Sequence, residues 1–113
     1  MNELELLKVA RVKIAKPENW TQGWYARDAS GYSVAPADES ACKFCALGAI
    51  LACGDDDSFG SAFFENAAAS LRKNLPVDFA RACVMGFNDD PKRTHAEVID
   101  LFDRTIASLE AAS

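Results

Sequence analysis

The sequence predicts a mainly α protein, a compact bundle of about five helices with a short β-hairpin or extended loop after helix 1. Three observations carry that expectation. Several segments repeat apolar residues at helical steps between recognisable caps, one segment is apolar on every side, and a single stretch after the first helix loses the helical period altogether. At 113 residues the chain is long enough for one domain and too short for two ordinary ones, so residues 1–113 are expected to share one core. Half of the residues are hydrophobic, which lets a chain of this size bury roughly 65% of its unfolded surface without disulfides or metal.

The first helix is expected from Asn2 to about Ala15. Leu4, Leu7, Ala10 and Ile14 fall along one side, Asn2 and Glu5 have the spacing of a capping pair, and Pro17 limits further extension. From Glu18 to Ser40 turn-formers take over: Gly23, Asp28-Ala29-Ser30-Gly31 and Pro36. Trp24-Tyr25-Ala26 and Tyr32-Ser33-Val34 flank the Asp28–Gly31 turn and are suited to pair as a hairpin. An isolated two-stranded hairpin is marginal in water, so this one would have to lie on the helices. Connections of this length are usually functional or mobile, which makes the segment the unusual part of the chain.

Helical character resumes near Ala41 and holds through Cys53. Residues 44–52 are apolar all round, as befits a helix at the centre of a bundle, Gly48 allows close approach of a neighbour, and Gly54 supplies a stop. Asp55-Asp56-Asp57 leads to a helix from about Ser61 to Asn74 with Phe63, Ala67 and Leu71 at steps of four. Pro76 suits the first turn of a fourth helix, Val77 to Met85, with Phe79, Ala82 and Cys83 inward and Gly86 ending it. In the last helix Thr94 and Glu97 form a capping box. Val98, Leu101, Phe102, Thr105, Ile106 and Leu109 make its apolar face, and Asp100 and Arg104 pair one turn apart.

Charge and composition exclude several functions. Seventeen acidic against twelve basic side chains leave a net charge of -5, which opposes nucleic-acid binding because that affinity comes from neutralised phosphates. No apolar run is long enough to span a membrane, and Met1-Asn2-Glu3-Leu4-Glu5 carries acids where a secretory signal would be basic. A cytoplasmic protein with reduced cysteines is the resulting expectation, and Asn19-Trp20-Thr21 then has no meaning as a glycosylation acceptor. No cofactor is implied.

Three constellations invite a chemical reading. Cys42-Lys43-Phe44-Cys45 has the spacing of half a zinc site, with Cys53, Cys83 and His95 as further donors at no recognised ligand spacing, and a lone pair is more often the mark of small buried hydrophobes. Cys45 at a helix start is a potential nucleophile, with the sole histidine, His95, as base and Asn88 as its orienting group; against this, His95 opens a capping box and reads more simply as a solvated helix-start residue. Asp55-Asp56-Asp57-Ser58-Phe59-Gly60 resembles the opening of a calcium loop, but Phe59 brings no oxygen to position five and Asn66 stands at position twelve, where a bidentate glutamate is required, so the acids are better read as helix-start charges. The preferred reading makes the cysteines structural.

Aromatic placement is the remaining signal. Both tryptophans and both tyrosines, Trp20, Trp24, Tyr25 and Tyr32, lie in the irregular segment. Such residues are favoured where one end stays wet and are enriched in binding hot spots; a lid whose rings cover apolar helix faces is the reading favoured over a recognition surface, and the two can coexist.

Taken together, Cys45-Ala46-Leu47-Gly48-Ala49, Phe87-Asn88-Asp89, the run from Thr94 to Ile106 and the earlier Trp20-Thr21-Gln22-Gly23 resemble a family of small bacterial and phage proteins classed only as a domain of unknown function. The likeness covers Leu7 to about Ala107. In that family the second motif often reads Trp-Asn-Asp, where this chain has Phe87. The resemblance implies a shared compact fold and no established activity. The residues favour a non-enzymatic protein-interaction module that meets an unknown protein partner or itself through Trp20, Trp24, Tyr25 and Tyr32, with Asn88 and Asp89 either tying a turn or facing a ligand. The alternatives are a small Cys/His hydrolase or transferase using Cys45 and His95, and a zinc-binding module through Cys42 and Cys45.

Overall fold

In a computed structural model of the chain, residues 2–54, 62–76 and 83–112 are described. Five helices lie among them: α1 (Glu3–Lys13), α2 (Ala46–Cys53), α3 (Ala62–Lys73), α4 (Val84–Asp89) and α5 (His95–Ala112). Between α1 and α2 come a 3-10 turn over Pro17–Asn19 and two short strands, β1 (Ala26–Arg27) and β2 (Lys43–Phe44), paired antiparallel. Among the described residues no helix is long and apolar enough to cross a membrane.

α1 starts where its cap requires. The Asn2 side-chain oxygen accepts the Glu5 N–H at 2.8 Å, with acids in the first turn and Arg11 and Lys13 in the last, matching the helix dipole. Its buried face is Leu6, Leu7, Ala10 and Ile14; Leu6 replaces the expected Leu4. This face packs on α2, α3 and α5. α3 buries Phe64, Ala67 and Leu71, a 3-then-4 step in place of the expected steps of four, so Phe63 stands exposed.

The irregular segment departs most from expectation. The Asp28–Gly31 turn forms, with Gly31 at a positive φ of 90°, and Arg27 bridges Ser33 on one side. The regular ladder lies on the other side, where Ala26 faces Phe44 and Arg27 faces Lys43. Residues 26–27 are therefore a middle strip between the predicted partner and one read as helix. Lys43 and Phe44 supply that second partner, so α2 begins at Ala46 and not near Ala41. The Cys42 and Cys45 N–H groups donate to the Arg27 and Tyr25 carbonyls at 2.9 and 3.1 Å, bonds a helix from Ala41 would forgo.

The fourth helix also shifts. Its expected first half, with Phe79 and Ala82, lies outside the described residues, as do Asp55-Asp56-Asp57 and Ser61. α4 itself runs through Gly86 to Asp89 instead of ending at the glycine, and Cys83 is its exposed N-cap, not an inward residue. Cys45 and Cys83 cap alike: each thiol sulfur accepts the N–H three residues on, at 3.3 Å. α5 keeps its forecast, with Thr94 Oγ1 accepting from Glu97 N–H at 3.2 Å while the Glu97 carboxylate accepts from Thr94 N–H at 2.9 Å. Val98, Leu101, Phe102 and Thr105 of its apolar face are fully buried, and Arg104 donates to Asp100 at 2.8 Å.

Candidate functional site

Asn88, near the end of α4, is fully buried and uses its whole side-chain amide. Its Oδ1 accepts from the Trp20 indole N–H at 2.8 Å and from the Ala46 N–H at the start of α2 at 3.1 Å. Its Nδ2 donates to the Thr21 carbonyl at 3.1 Å and to Asp89 Oδ1 at 2.9 Å. An amide offers two donors and two acceptor sites, and all four are occupied. Gln22 extends the link by donating to the Asn88 and Asp90 carbonyls at 2.9 and 2.8 Å. The Gly23 N–H donates to Asp89 Oδ1 at 3.0 Å. The motifs Trp20-Thr21-Gln22-Gly23, Cys45-Ala46 and Phe87-Asn88-Asp89, remote in sequence, thus form one buried hydrogen-bonded hub.

Two further contacts brace it. Arg93 stacks over the Phe87 ring at 3.7 Å and donates to the Phe87 carbonyl at 2.8 Å, a cation–π contact immediately beside Asn88. Gly48 passes so close to the irregular segment that a Cβ there would lie 1.8 Å from the Tyr25 carbonyl oxygen. Only glycine fits that crossing.

Beside the hub opens a cleft of about 270 Å³ lined by Gly23, Trp24, Tyr25, Cys45, Met85 and Asp89. Trp24 is 51% exposed, and its ring meets that of Tyr25 edge-on at 6.4 Å between centroids. Burial raises the Tyr25 hydroxyl above the usual phenol range, and the nearby Cys45 and Asp89 add to the shift. Burial pushes the Cys45 thiol up to about 11 against the lowering effect of the Gly48 N–H, and the charge of Asp89 raises it further.

Of the residues singled out from sequence, Trp24, Tyr25 and Asp89 meet around this cleft, while Trp20 and Asn88 lie in the hub behind it. The turn assigned to Asn88 and Asp89 is held instead by Asp90, whose carboxylate accepts the Lys92 N–H at 2.9 Å. Tyr32, 73% exposed, stands apart beyond the Asp28–Gly31 turn. Cys45 joins the cleft, whereas His95 does not line it: its Nε2 donates to the Ile14 carbonyl at 2.7 Å and its ring lies 6.1 Å from Trp20. The carbonyl is acceptor-only, so Nε2 carries the proton. Among the described residues no hydrogen bond joins Cys45 to His95, and Asn88 is spent within the hub. Cys42 is exposed while Cys45 is buried, and among the described residues no group of three or more His, Cys, Asp or Glu is placed to hold a metal ion.

Sequence reasoning takes Gly23 as a turn-former and Gln22 only as part of the Trp20–Gly23 motif, and places neither of them nor Met85 in a site. Gly23 had a readable signal in its place beside an aromatic pair, since its φ of 85° needs glycine. No local pattern gave the partners of Gln22 or Met85, which come from 66 residues away and from across the cleft.

Comparison with known proteins adds the lineage. The chain belongs to a family of unknown function (DUF6197), whose model matches residues 1–108. No curated protein and no solved structure matches it.

Proposed function

We propose that this member of the family is a non-enzymatic protein-interaction module, acting in the cytoplasm on another protein or a second copy of itself. The observation that carries the reading is Trp24: a large aromatic ring, half in water, mounted on a segment whose preceding residues are fixed by the hub. A rigid exposed aromatic loses little conformational freedom on binding, which is why such residues anchor interfaces. Tyr25 beside it and the exposed Tyr32 add further aromatic surface to the same segment. The charge of -5 supports a protein partner over nucleic acid, and four free thiols suit a reducing compartment.

The test compares wild type with Trp24→Ala as immobilised baits and, in parallel, by sedimentation equilibrium. A partner recovered at least tenfold less with the variant, or a self-association weakened as much, at unchanged helical content, supports the module. Equal recovery and equal association by both proteins would overturn it.

A further inference from the structure

We propose that the cleft receives one cationic side chain of the partner, an arginine or a lysine, against the half-exposed ring of Trp24 with the Asp89 carboxylate as counter-ion. The inference rests on the interaction reading and names what that surface recognises.

Size sets the first limit. About 270 Å³ lies below the usual range of small-molecule and cofactor sites and suits a single long side chain. The walls set the second. Trp24, half in water, offers its ring, and Met85 a polarisable thioether, the surroundings that attract a cation more strongly as water is excluded.

Asp89 decides the sign. Its Oδ1 is held by Gly23 and Asn88, which fixes the carboxylate, while among the described residues no hydrogen bond reaches Oδ2. A neutral side chain filling the cleft would take that oxygen out of water without a donor, whereas a guanidinium or ammonium supplies one. The local potential agrees, because the two other ionisable groups on the walls, Tyr25 and Cys45, are both raised in part by the charge of Asp89. Arg27, the cation behind Gly23, is already spent on the Gln22 and Gly31 carbonyls at 3.1 and 3.0 Å. An anionic ligand would meet Asp89 head-on.

The probes are N-acetyl amides of arginine, lysine and norleucine, titrated into the full chain while backbone amide NMR signals are followed. Saturable shifts at Gly23, Trp24 and Asp89 with the two cationic amides, at least fivefold weaker with norleucine, are expected. Asp89→Asn should weaken the cationic amides at least fivefold, because asparagine keeps an Oδ1 to accept from Gly23 and Asn88 and so spares the hub. Should that variant fail to fold, the wild type still decides: cation binding must weaken as salt rises, and norleucine binding must not. Norleucine binding as tightly as arginine, or no response to any amide, would overturn the cation, whereas the interaction module itself stands or falls separately on the Trp24→Ala comparison.

Discussion

Trp20 and Trp24 stand four residues apart in one irregular segment and lead opposite lives. The Trp20 indole donates into the Asn88 amide, and its ring lies against His95. Trp24 has half its surface in water and borders an open cleft. What separates them is the backbone between: Gln22 and Gly23 are tied to α4, so the chain is anchored up to Gly23 and presents Trp24 just beyond the anchor. The same residue type serves as structural fastening in one place and as offered surface in the other, and only the hub decides which.

That contrast can be broken at the hub first. Asn88→Ala removes four hydrogen bonds and leaves the buried Ala46 N–H and the Trp20 indole without their acceptor. A loss of about 4 kcal/mol is expected by urea unfolding. Gly48→Ala pushes a methyl into the Tyr25 carbonyl and should cost about 3 kcal/mol by the same measurement, since backbone and not a flexible side chain must give way.

Cys45 tests the cleft floor through pH. Its folded-state pKa, about 11, lies above the ordinary 9.0, so the fold binds the thiol proton more tightly than the unfolded chain does. The stability this contributes is complete below pH 9 and is lost as pH rises toward 11. It amounts to about 2 kcal/mol at 1.36 kcal/mol per pH unit, somewhat discounted for incomplete burial. Replacing Cys45 with alanine should remove that part of the alkaline slope in denaturant titrations at stepped pH. The finest comparison is between the tryptophans themselves. Trp20→Phe should cost about 1 kcal/mol for its lost hydrogen bond, while Trp24→Phe should stay within about 0.5 kcal/mol.

Much of the helical frame was legible in the sequence because helix signals are local. The Asn2 cap, the Thr94–Glu97 box and the α5 apolar face depend on residues a few places apart, and all three stand. The failures share a cause as well. Lys43 and Phe44 look helical beside an apolar run, but their backbone groups are claimed by residues 26–27 from far along the chain. Phe63 and Phe64 differ by one position, which periodicity places only within a residue or so. Of the candidate site, the aromatic cluster and the Asn88–Asp89 pair were visible as residues. Their meeting across 66 to 68 positions was not, because no local pattern encodes which buried amide an indole will find.

The reach of Asn88 has a kinetic consequence. Its side chain ties together stretches separated by 42 to 68 positions, and loops of that length close only when packing elsewhere already repays their entropy. Asn88→Ala is therefore expected to speed unfolding more than it slows refolding in stopped-flow measurements. A chain lacking any one of the three stretches lacks part of the hub's bond set, and with it the anchor that holds Gly23 against α4 just before Trp24.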